Sequence, residues 1–174
     1  MIFKIQGPYE LDRKKGLIDS SAEALQEYWE WVDKDVPGLP DACGCYVFAI
    51  QASRGLLPWY IGKSEKQAFK KECLSHHKIN HFNNAIAERR GIPLIFFVPQ
   101  LTKTGRYRKP SASTSEAISD LKALLIGMAL TRNSALLNIK DTTRLKTLVV
   151  DGFLNSKIKA RGGPAGELRQ LLGG

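Results

Sequence analysis

The chain has 174 residues, 43% of them hydrophobic and 25% charged, which is the make-up of one globular domain with a core rather than of a disordered chain. No apolar run approaches the ~20 residues that cross a bilayer, so no membrane partner is expected. The formal net charge is +9, and it is unevenly spread: residues 63–109 hold eleven basic and three acidic residues, residues 1–62 six and nine. A local basic excess is the footprint of a polyanion partner, most often nucleic acid.

In chain order, SSAEALQEYWEWV (20–32) predicts a helix, with Ser20 or Ser21 as N-cap ahead of Ala22, Leu25, Trp29 and Val32 at helical spacing. Two prolines and a glycine in DKDVPGLP break it. CYVFAI (45–50) and WYIG (59–62) read as short strands, an antiparallel hairpin joined by a longish loop, QASRGLLP. The following KSEKQAFKKECLSHHKINHFNNAIAERRG predicts one or two basic helices, carrying Ala68, Cys73, Leu74, Phe82 and Ile86. IPLIFFVPQL (92–101) is a third strand, with Pro93 and Pro99 near its ends. After a basic loop, Ser113 or Thr114 caps a helix over SEAISDLKALLIGMALTR, with Ile118, Leu121, Leu125 and Met128 on one stripe. A tail follows, with an apolar LKTLVV and a Gly-Pro-rich ARGGPAG. This order predicts helices layered on a small, largely antiparallel sheet, an α/β class of the α+β type.

Several motifs invite chemistry. Gly62-Lys63-Ser64 has the ending of a phosphate loop, but Gly55 is too far upstream and Pro58, Trp59 and Tyr60 fill the loop with bulk. Cys73, His76, His77 and His81 have a zinc-compatible spacing without a second ligand pair, so histidines lining a polyanion surface or capping a helix are the favoured reading. Tyr46 and Tyr60 can be cross-strand neighbours on one face. Tyrosine ordinarily titrates near 10 and is a poor base unless nearby cations lower that value. Lys63, just past the second strand, is the cation expected to do so.

Together GCYVF and WYIGKS, with LKALLIGMALTRNSALLN downstream, resemble the GIY-YIG nuclease family over residues 42–139. The resemblance implies a three-stranded antiparallel sheet flanked by helices, within a single domain over 1–174. Residues 1–41 would be an N-terminal helical extension and 140–174 a C-terminal one. It implies metal-dependent hydrolysis of DNA phosphodiester bonds, with Mg or Mn as cofactor if active and none if degenerate. Carried over by position, Tyr46 and Tyr60 match the tyrosines, Lys63 a basic position, Lys70 or Lys71 the arginine and Asn138 the asparagine. Lys66, Lys71, His76, His77, Arg106, Arg108 and Lys122 are the expected nucleic-acid contacts. The chain departs from the pattern at Lys122, where the family has its metal-holding glutamate. An ammonium repels a cation, and Asp120 and Glu116 lie ~200° and ~240° around the helix from it. The expectation is therefore a nuclease with activity altered or lost; the alternative is an inactive nucleic-acid-binding module on the same fold. The opening MIFKIQGPYELDRKKG lacks the features of a signal peptide. Three cysteines exclude a dense disulfide framework, and a cytoplasmic location is expected.

Overall fold

A computed structural model describes residues 1–53, 55–87, 91–151 and 162–171. The chain divides into two compact units, Met1–Leu137 and Asn138–Gly174.

The first unit is built on the three strands expected from the sequence. β5 (Gly44–Ala52) lies between β6 (Gly55–Ser64) and β7 (Ile92–Leu101), antiparallel to both. The sheet is wider than three strands, however. β1 (Ile2–Phe3) and β2 (Gln6–Glu10) both pair antiparallel with the far edge of β7, making five strands among the described residues. A small separate hairpin joins β3 (Arg13–Lys14) to β4 (Leu17–Ile18). The N-terminal segment expected as a helical extension thus begins with strands. The expected loop between β5 and β6 is also mostly strand, since their register runs out to Ala52↔Gly55.

α1 (Ala22–Asp35) starts where Ser21 accepts a hydrogen bond from the Ala24 amide, which satisfies one of the donors left open at a helix start. The basic segment forms two helices, α2 (Phe69–Glu72) and α3 (His76–Ala87). α4 spans Glu116–Arg132 with Ser115, not Ser113 or Thr114, at its N-cap. A carboxylate from outside the helix completes that start: Glu65 accepts from the Ser115 amide at 3.1 Å.

Strand alternation sorts the core onto two faces. One carries Tyr46, Phe48, Ile95 and Phe97 into the main cluster, with Tyr28 and Val32 of α1, Phe69 of α2 and Phe82 of α3. There Phe48 and Phe82 stack at 4.1 Å. The other face carries Cys45 and Val98 against Ile118 of α4, with Leu121 and Leu125 at the margin. Met128, expected on the same stripe, is exposed instead; the buried side of α4 turns through Ala117, Ile118, Ile126 and Ala129.

The second unit contains α5 (Ile139–Thr147) and α6 (Gly163–Leu171). Asn138 is the residue before α5, and its carbonyl accepts from the Thr142 amide.

Candidate functional site

The two tyrosines share the main core face, as diagonal neighbours and not directly opposite: Tyr46 pairs with Gly62, and Tyr60 with Phe48. Their ring centroids are 6.1 Å apart. Gly62 makes this possible, because a Cβ there would fall inside the Tyr46 ring. The glycine of the strand motif is therefore the floor on which Tyr46 lies, a close approach that no other residue permits.

The two phenols have different environments. Tyr46 is fully buried, and among the described residues its hydroxyl has no well-formed hydrogen bond. Burial raises its pKa far above the ordinary value of 10, and the neighbouring Tyr60 adds to the effect. Tyr46 therefore stays protonated, able to donate but not to act as a base. Tyr60 is half-buried on edge strand β6 and accepts a hydrogen bond from Lys78 Nζ at 2.6 Å. The same ammonium lies 4.9 Å from the centre of the Tyr60 ring and 3.9 Å from Glu72 Oε1. A short charge-assisted bond of this kind is among the stronger single polar contacts.

The cation beside Tyr60 is thus Lys78, which the sequence reading missed, and not Lys63. Residues 60 and 63 are an odd number apart on one strand, so their side chains leave opposite faces. Lys63 is tied to Glu65 at 2.8 Å and donates to Ser119 of α4 at 2.8 Å. Lys78 sits four residues before Phe82 on α3, the spacing that puts both on one helix face. Since Phe82 is a core residue beside Tyr60, that spacing was the signal for Lys78.

Lys122 is half-buried on α4, and its charge is felt at Cys45, on the sheet face opposite Tyr46. Burial pushes the Cys45 thiol up to about 12, while Lys122 and Lys63 pull it down. Asp120 and Glu116 are both exposed. Among the described residues, no three His, Cys, Asp or Glu side chains converge as a metal set. Glu72 is the acidic group placed by contact beside the Tyr60–Lys78 pair, and one carboxylate facing an ammonium is a poor cation site. The described donors beside Tyr60 therefore do not by themselves fit a resident divalent ion.

Lys66, Lys70 and Lys71 line an open groove of about 720 Å³ with Lys109, another residue the sequence reading did not single out. Asp41 lies in the same groove, 2.7 Å from Lys70 and 3.9 Å from Lys109. His76 and His77 are exposed at the start of α3, with His77 edge-on to His81 at 4.5 Å, while Cys73 points into the core. Arg106 is exposed in a turn, and Arg108 is held by Gln100 at 2.9 Å. Asn138 belongs to the second unit.

No family model, curated protein or solved structure matches this chain. Among the described residues, no helix is long and apolar enough to cross a membrane.

Proposed function

We propose that the chain is a nucleic-acid-directed phosphodiesterase of GIY-YIG-like build, with DNA as substrate and Tyr60 as the group that receives a proton from the attacking water. The observation that carries this reading is the Tyr60 hydroxyl held at 2.6 Å by Lys78, beside a second, fully buried tyrosine. Hydrolysis forms a bond from water oxygen to phosphorus and breaks one from phosphorus to the leaving oxygen, which takes up a proton from solvent. The proton lost by the water needs an acceptor close by. The ammonium in hydrogen-bond contact is placed to stabilise negative charge on the Tyr60 oxygen. The same ammonium offers its remaining donors to a phosphate oxygen that gains charge as water attacks. Tyr46, kept neutral by burial, is a fixed wall behind Tyr60.

A second reading, binding without cleavage, is favoured by the ammonium of Lys122 where the resemblance expects a carboxylate, and by the lack of a converging donor set. Nicking of supercoiled plasmid in Mg²⁺, in Mn²⁺ and in EDTA separates the two. Nicking by the wild type that falls by about 100-fold or more in Tyr60→Phe, the usual scale for a lost acid–base group, supports the phosphodiesterase. Tight plasmid binding with no nicking under any of the three conditions leaves the binding module.

A further inference from the structure

The groove beside α2 is lined by four lysines and, among them, one carboxylate. Lys66, Lys70 and Lys71 come from a single short stretch, and Lys109 reaches the groove from the loop that follows β7. Lys70, Lys109 and Asp41 are each well exposed, at 44%, 61% and 49%. An exposed ion pair is worth little, about 0–1 kcal/mol, so the Asp41 contacts cost little to replace. The groove is open and about 720 Å³ in volume. Four lysines on one open groove suit a polyanion, and two of them, Lys70 and Lys109, meet at the Asp41 carboxylate. Among the described residues that line it, none is aromatic.

From this arrangement we infer that the groove is a track for a nucleic-acid backbone, in which Asp41 is a built-in stand-in for phosphate. A bound strand displaces the carboxylate, and its phosphates take over Lys70 and Lys109. The inference deepens the proposed function, resting on its nucleic-acid partner but not on its chemistry. α2 joins the two places: Lys70 and Lys71 face the groove, while Glu72 on the same turn lies beside Lys78.

Two coupled substitutions set this arrangement apart from an ordinary basic surface, on which removing any carboxylate also tightens polyanion binding. Replacing the carboxylate with a neutral isostere leaves the lysines free and removes a competitor, so Asp41→Asn binds nucleic acid more tightly. The experiment is fluorescence anisotropy of a labelled 20-nucleotide DNA, single-stranded and duplex, titrated across salt concentrations in EDTA. Thermal melts confirm that each variant is folded. Asp41→Asn is expected to tighten binding severalfold at low salt. Lys70→Gln and Lys109→Gln are expected to weaken it, each lowering the salt slope by about one unit. In Asp41→Asn/Lys70→Gln much of the gain disappears, because the freed partner is gone. Unchanged or weaker binding by folded Asp41→Asn overturns the inference, as do unchanged salt slopes in the lysine variants. Equal binding of heparin or of anionic phosphatidylserine vesicles, with no preference for DNA, overturns nucleic acid as the occupant. Binding with these signatures but without nicking overturns the hydrolysis and leaves the track. Nicking that survives with binding unaltered in the lysine variants does the reverse.

Discussion

Tyr60 and Lys78 form the contact on which the proposed chemistry turns, and they can be tested apart from the fold. Lys78 is 17% exposed at the edge of the core, so Lys78→Met keeps most of the apolar stem and removes only the charge. It is expected to reduce nicking about as much as Tyr60→Phe does, while leaving DNA binding nearly unchanged. A variant that loses binding and nicking together would make Lys78 a contact to phosphate in the bound ground state and not the partner of the base. Gly62 makes the opposite kind of prediction, one of stability. Gly62→Ala drives a methyl group into the Tyr46 ring, and overpacking of this sort costs about 1–3 kcal/mol, visible as a lower midpoint in urea. Tyr46→Leu removes the ring that clashes, so a double-mutant cycle should show coupling of about 0.5–3 kcal/mol.

The elements show what a sequence discloses and what it withholds. β5 and β7 were legible because CYVFAI and IPLIFFVPQL are dense in β-branched and aromatic residues, which suit a buried, pleated surface. β2 was not: QGPYE contains glycine, proline and charge, and it is a strand because β7 offers a free edge to pair with. Lys63 was assigned to Tyr60 by nearness in sequence, although the odd spacing already put it on the other face. Lys78 could be found only by joining a helix face to a strand face, a packing relation eighteen residues long. Lys109 and Asp41 meet through a loop, for which no period exists. α4 was legible as a helix but not in its orientation, because it is apolar nearly all the way round. Its faces should therefore respond unequally. Ile126→Ala is expected to cost about 2–5 kcal/mol as a buried truncation, and Met128→Ala within about 0.5 kcal/mol as an exposed one. Comparable losses in a denaturant titration would mean the outer face is covered.

At the scale of the whole molecule, charge rather than packing sets how the protein meets its surroundings. Two carboxylates are tied to the basic region in the native state. Lys70 donates to Asp41 and holds it below the ordinary 3.8. Burial works to raise Glu65, but bonds from Lys63 and the Ser115 amide outweigh it and keep the carboxyl below 4.5. A folded-state value below the unfolded one means stability that is fully present above the ordinary carboxylate range and lost as pH falls through the folded value. The melting temperature is expected to hold at pH 5 and above and to fall below about pH 4. In Lys63→Met this acid limb should be shallower, since Glu65 loses its main partner. An acid limb unaltered in that variant would assign the effect to other carboxyl groups.

The single turn of α2 has a geometric consequence. One of its sides meets the groove and another, through Glu72, meets the ammonium beside Tyr60, so a step of a few residues separates the two places. On the proposed readings the turn works as a ruler. Cuts would fall at a constant nucleotide offset from the bound segment, whatever its sequence, and lengthening the turn would move that offset without altering which DNA is held.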